Sequence, residues 1–205
     1  MWQSTTSNMY AWELPTSLEV GGCEYKIRTD YRVILDILAA MNDPEIFEPD
    51  MTEDEKRQEQ IMTMLQILYI GFDNIPPRNW QEAAEKACDF IDCGIKRDDR
   101  PKPRTMDWEQ DAPIIAPEIS KIAGRDIRIG ETHWWEFFGY YMGIGEGVFN
   151  TIVSIREKRR KGKKLEKWEK EFYQSNKKLV DLKVRKAERS EEEKEALREL
   201  LGIKK

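Results

Sequence analysis

Residues 17–41 read SLEVGGCEYKIRTDYRVILDILAAM, and within this stretch the chain changes its period. Two short runs of alternating character flank Gly21-Gly22. A Gly-Gly pair supplies the positive φ angles of a tight hairpin turn, so strands are expected at 17–20 and 23–27. From Tyr31 onward the apolar positions Tyr31, Ile34, Leu38 and Met41 recur every three or four residues, the spacing of one helix face. Thr29 or Asp30 is placed to cap that helix. No later segment has strand alternation, so the expected fold is mainly α, one or more helical domains with a small N-terminal β-hairpin.

Outward from this stretch the helices follow one another. Asn42-Asp43-Pro44 stops the first. Thr52 and Glu55 have the spacing of a capping box at the start of a second helix. It is charged over EDEKRQEQ and apolar almost all round from Ile61 to Ile70, which predicts burial of its C-terminal half. Pro76-Pro77 marks a turn. Asn79 with Glu82 opens a third helix, with Trp80, Ala83, Ala84, Ala87 and Ile91 on one face. After DWEQD a helix carrying Pro113 is expected to kink or restart at Pro117 and to close at Gly124. HWWEFFGYYM predicts a helix with aromatics buried on more than one side. VFNTIVSIREKRRKG starts apolar and ends basic.

These elements divide the 205 residues into a polar extension over 1–13, a hairpin with helices over 14–93, and a linker over 94–106 that has two prolines and no apolar periodicity. An aromatic and basic helical region then spans 107–186, and a charged helical tail beginning with a second capping box (Ser190, Glu193) spans 187–205.

The composition supplies a core and narrows the setting. The hydrophobic fraction is 40% with 21 aromatic residues, enough to argue against global disorder. Charged residues make up 36%, above the usual quarter, as expected of solvated helices with one apolar face. Three cysteines at no framework spacing point to reduced thiols. The first residues, MWQSTTSNMYAWELP, lack the basic and apolar runs of a signal or transit peptide, and no stretch is long enough to span a bilayer. A reducing cytoplasm is the expected compartment. Charge is unevenly placed: residues 156–186 carry 14 Lys+Arg against 5 Asp+Glu, while residues 1–155 carry 15 against 28. An acidic body with a basic helical segment can orient partners.

The inventory of candidate chemistry is short. His133 is the single histidine, and without a partner for general-base work it reads as a satisfied structural imidazole. Cys88 and Cys93 are five apart on a helix, about 140° round its axis, so no metal site is expected. Gly143-Ile144-Gly145-Glu146-Gly147 resembles a phosphate-cradling loop, but Val148 stands where the dinucleotide fingerprint has its last glycine, and an aromatic helix precedes it in place of a strand. It reads as a connection between helices. No enzyme and no cofactor is expected.

The basic run Arg156 to Lys164 has seven positive charges, enough to grip phosphates. It lacks interleaved aromatics and sits on an acidic protein, so protein contacts are expected in place of nucleic acid. Beyond Gly162, Leu165, Trp168, Phe172, Ser175, Leu179 and Leu182 alternate steps of three and four, a narrow seam over nearly three heptads. The seam either packs internally or lies against a client helix, while Lys167 and Glu169 are expected to face water. Leu165, Trp168, Phe172, Leu179, Lys163 and Lys164, with Trp134 and Trp135 of the aromatic segment, form the candidate partner-binding set.

Three stretches carry a more specific signal: LPTSLEVGGCEYKIRTDYRVILDILAAMNDPE, then DWEQD, then HWWEFFGYYMGIGEGVFNTIVSIREKRRKGKKLEKWEKEFYQSNKKLVDLK. In order and spacing they resemble the gene-product-fifteen family from siphophages of Gram-positive bacteria, over about residues 14–185. The chain departs from the family pattern in Pro113 and Pro117, in its polar N-terminal extension and in the acidic tail after Lys186. Members are encoded beside the tape-measure gene, and by that position the family is similar to tail assembly chaperones. The resemblance implies a non-virion protein of the host cell cytoplasm. Its implied partner is the tape-measure protein, with the tail-tube protein, a second chaperone and a homo-oligomer as further candidates; no membrane partner is expected, and nucleic acid is the less favoured reading of the basic run. A structural virion component, such as a connector or minor tail protein, is the alternative.

Overall fold

A computed structural model of the chain describes residues 13–41, 51–95 and 104–183. The stop at Asn42-Asp43-Pro44, nearly all of the 1–13 extension, most of the 94–106 linker and the whole 187–205 tail lie outside the described residues.

Strands β1 (Ser17–Val20) and β2 (Cys23–Lys26) pair antiparallel, with Val20 opposite Cys23 and Ser17 opposite Lys26. Gly21 and Gly22 have φ of 58° and 76°, the mirror-image turn that matches strand twist. A side chain at Gly21 would also collide with Asn79. Helix α1 (Tyr31–Met41) follows, then α2 (Glu53–Leu68) and α3 (Trp80–Ile91), with two 3-10 turns, Phe72–Asn74 and Pro77–Asn79, between the last two. Together with Glu131–Glu136 these form the first of two compact units.

The capping box is present: Thr52 accepts from Glu55 N–H, and the Glu55 carboxylate accepts from Thr52 N–H at 2.8 Å. The Thr52 N–H, and then the Thr52 hydroxyl donating at 2.7 Å, hold the Glu55 carboxyl below its ordinary range. Helix α2 buries Thr63, Met64, Leu65 and Leu68, its C-terminal half, as its pattern requires. Helix α1 corrects the expected register. Its buried residues are Tyr31, Ile34, Ile37 and Ala40, while Leu38 and Met41 are only half-buried. VILDILAAM is apolar on nearly every side, so the pattern alone does not select the face that docks. Asn79 precedes α3 without capping it through its side chain. Glu82 accepts instead from Gly21 N–H at 3.0 Å and ties the hairpin turn to the helix.

Two tryptophans secure Glu131–Glu136 to the end of α3. The indole N–H groups of Trp134 and Trp135 donate to the carbonyls of Ile91 and Phe90, each at 2.8 Å. These carbonyls belong to the last turn, which has no intrahelical donors. Trp135 N–H donates to His133 Nδ1 at 3.1 Å, which leaves the proton on Nε2, 2.9 Å from the Pro15 carbonyl. Both ring nitrogens are thereby engaged, and His133 serves as a structural cap.

The second unit contains α4 (Ala112–Ala123), the part of α5 (Trp134–Met142) from Phe137 onward, α6 (Val148–Arg160), α7 (Lys167–Ser175) and α8 (Lys177–Val180). Helix α4 runs through Pro117 as one element and does not restart there. Ser120 Oγ, which donates to the Ala116 carbonyl at 2.7 Å and accepts from Ile127 N–H at 3.0 Å, stitches the helix to the chain beyond Gly124. Trp108, Phe137, Tyr141 and Phe149 form an aromatic cluster, with Trp108 and Tyr141 ring centroids 4.9 Å apart.

Candidate interaction surface

The predicted seam is divided by one residue. Asn176 has φ −126° and ψ 30°, outside the helical region, and its side-chain amide donates to the Phe172 carbonyl at 2.9 Å. Helix α7 therefore ends at Ser175, and α8 begins afresh at Lys177. With a turn of 3.6 residues, the inward stripe becomes Leu165, Glu169 and Phe172, continued after the break by Leu179 and Val180. Leu165, Phe172 and Leu179 pack against Ile152, Ile155 and Val180 and belong to the unit's own core.

Two side chains change places relative to the sequence expectation. Glu169, expected in water, is only 1% exposed. Its carboxylate accepts from Lys158 Nζ at 2.6 Å and from Glu166 N–H at 2.8 Å. The Lys158 bond, more than any other influence, holds this carboxyl below the ordinary glutamate range. Trp168, one residue away and about 100° round the helix, is 56% exposed.

The basic run is largely spoken for. Arg156 is buried, and all five of its N–H donors are used. Two reach Asp111 at 2.6 and 2.8 Å, and the others reach the carbonyls of Val180, Leu179 and Thr105. Asp111, 0% exposed, accepts in addition from Asp107 N–H at 2.9 Å, and Asp107 caps the following turn through Glu109 and Gln110 N–H. This network was missed in the sequence, although DWEQD and SIR contain its members. Lys158 pairs with Glu169, Lys161 with Glu157, and Arg159 with Asp181 while its guanidinium lies 4.1 Å from the Tyr173 ring centroid.

Arg160, Lys163 and Lys164 have no ion-pair partner among the described residues, and neither does Lys167. A Schellman turn sets this arrangement. Gly162, at φ 64°, donates to the Arg159 carbonyl while Lys163 N–H donates to the Lys158 carbonyl, so Lys163 and Lys164 project beyond the end of α6 toward the start of α7. The outcome is a tryptophan at the head of α7 with Lys163, Lys164 and Lys167 beside it in the chain. Trp168 thus supplies, from the next element, the aromatic that the basic run itself lacks. Of the other predicted residues, Trp134 is 1% exposed and is a core side chain of the first unit. Trp135 is half-buried and stacked on Phe90.

A separate apolar strip follows the edge of α4 in the second unit. Ile122, Met142 and Val148 are exposed, Met142 by 64%. A methyl group built on Gly143 would lie 3.8 Å from Ile122 Cδ1, and one on Gly147 would lie 3.0 Å from Glu118 Oε1. The glycine loop therefore runs close along Glu118 and Ile122, with Met142 and Val148 at its two ends. The Glu118 carboxylate lies close to Gly147, the residue that precedes α6, and its negative charge there disfavours a bound phosphate. The loop is a helix connection, as its sequence suggests.

Among the described residues no helix is long and apolar enough to cross a membrane, and no group of His, Cys, Asp or Glu is placed to hold a metal ion. No significant match is found among curated proteins or among solved structures. The family model described as Bacteriophage Gp15 protein matches residues 12–182, which include every described element. The chain therefore belongs to the Bacteriophage Gp15 protein family and is a phage structural or morphogenesis protein.

Proposed function

We propose that this protein is a tail assembly chaperone that binds the tape-measure protein, keeps it soluble and assists assembly of the tail tube around it. The observation that carries the reading is the strip of Ile122, Met142 and Val148 along the glycine loop, exposed apolar surface in a member of the Bacteriophage Gp15 protein family. An amphipathic client helix places apolar anchors at steps of three and four residues on such a strip, with modest affinity at each contact and avidity from repetition along a long client. The activity needs no catalytic group and no cofactor. The protein acts in the host cytoplasm and leaves before the virion is complete.

The test is co-expression with the tape-measure protein of the same phage. The client should be soluble with the wild-type chain and should precipitate without it or with Ile122→Asp/Met142→Asp. Equal solubility in all three cultures removes the reading. Mass spectrometry of purified particles separates a chaperone from the alternative: a stoichiometric amount of this chain in the virion makes it a structural component, such as a connector or minor tail protein.

A further inference from the structure

The described residues of the two units carry opposite net charge. The first holds 16 Asp+Glu against 7 Lys+Arg, and the second holds 11 against 16, so the chain carries two surfaces of complementary charge. The excess is concentrated. In the second unit it lies at the α6–α7 turn, where Lys163, Lys164 and Lys167 stand unpaired around the exposed Trp168. In the first unit Glu19 and Glu24 are directly opposite each other on the hairpin, and both are exposed. Like charges in a cross-strand pair repel, and a cation from outside relieves the repulsion. Near the hairpin turn, Glu82 accepts from Gly21 N–H, and Glu85 lies one helix turn further along α3, so two more carboxylates belong to the same unit. None of the four has an ion-pair partner among the described residues.

We propose that Trp168 with Lys163, Lys164 and Lys167 forms an interface between copies of this chain, docking on the exposed Glu19–Glu24 pair of a second copy. The two surfaces differ, so the contact is heterologous. It closes only if geometry returns it to the first copy, and otherwise it propagates along a chain of subunits. Tryptophan is the favoured anchor of such contacts, with charge setting register and the rate of encounter around it. The proposal does not rest on the chaperone reading, because it concerns only copies of this chain.

Sedimentation velocity on the full-length protein alone, over a concentration series, tests it. Association at about 0.1 M salt should weaken at least about tenfold at about 1 M, where the screening length falls from about 10 Å to about 3 Å. Trp168→Ala and Lys163→Glu/Lys164→Glu should each weaken association about tenfold or more with melting temperature unchanged, because these side chains are exposed. Glu19→Lys/Glu24→Lys should do the same. Mixing the two charge-reversed proteins should restore association between them, an outcome that non-specific stickiness does not produce. A monomer at every concentration, an oligomer indifferent to these substitutions, or a mixture that stays dissociated each overturns the proposal. So does nanomolar binding of random single-stranded DNA by the wild type that Trp168→Ala abolishes, which reassigns the patch to nucleic acid.

Discussion

In the first unit the fully buried side chains include Trp134, Tyr69, Phe90, Met64, Leu65 and Leu68, and the polar atoms of Tyr69 and Trp134 are satisfied by backbone carbonyls, as Tyr69 Oη is by Ala83 at 2.9 Å. The second unit has an aromatic cluster of its own but sets beside its aliphatic residues a fully buried carboxylate and guanidinium, Asp111 and Arg156. Apolar burial is non-directional and tolerates exchange of one shape for another. The ion pair is directional. Arg156 draws together the carbonyls of Thr105, Leu179 and Val180, which come from opposite ends of the unit's sequence. The first unit thus takes its stability mainly from filled volume, and the second adds a polar clamp that fixes which segments meet.

The sharpest way to break that contrast is to remove one side of the clamp. Asp111→Ala leaves a guanidinium buried with two donors unpaired and strips an acceptor from Asp107 N–H, so a loss of about 3–5 kcal/mol is expected. Against a typical total stability of about 5–15 kcal/mol, that is enough to unfold much of the protein. The double variant Asp111→Leu/Arg156→Met removes both charges and should lose much less, because a buried pair roughly balances its own desolvation. Urea unfolding followed by circular dichroism measures both. If the double variant is as damaged as the single, the carbonyls gathered by Arg156 matter more than its charge does.

The matching probe of the first unit is Leu65→Ala. Leu65 is fully buried in the half of α2 that enters the core, and truncation should cost about 2–5 kcal/mol, depending on how far the site collapses. No charge is involved, so the loss should be the same at low and high salt. A loss that varies steeply with salt would mean that apolar burial is not what holds this unit.

How much of this was legible in the sequence depended on the range of the interaction. The hairpin and the Thr52–Glu55 box are local, with every partner within a few residues, and both form where the pattern puts them. The face of α1 was not legible, because a helix apolar on most sides takes its register from its neighbours. The heptad seam misled because it ran through Asn176, whose side chain offers the backbone an alternative to the helix. Asp111 and Arg156 are 45 positions apart and have no periodic relation, so no reading of spacing joins them. They did lie in two of the strings that carried the family resemblance, DWEQD and SIR. The candidate surface followed the same rule: Lys163 and Lys164 were recognisable as a charge run, whereas the exposure of Trp168 and the burial of Glu169 followed from where α7 begins and ends.

The smallest expected effect concerns Glu169, where the two kinds of stabilisation meet. Its carboxyl is held below the ordinary glutamate value of 4.5, first by Lys158 and then, against the opposing effect of burial, by the Glu166 N–H. A depressed folded-state pKa means that the ionised form favours the folded protein. Its contribution is complete above the unfolded value and is lost as pH falls through the folded one. Glu169→Gln keeps an acceptor for Glu166 N–H and removes the ion pair. Lys158 is about a third exposed, so solvent screens the pair and the cost at pH 7 should stay within about 1 kcal/mol. The informative measurement is the pH dependence of thermal melts. From about pH 5 downward the wild type should lose stability faster than Glu169→Gln, and the two curves should converge near the folded pKa. Curves that run parallel down to acid unfolding would show that Glu169 is protonated alike in the folded and unfolded chain, and that its bond to Lys158 contributes nothing.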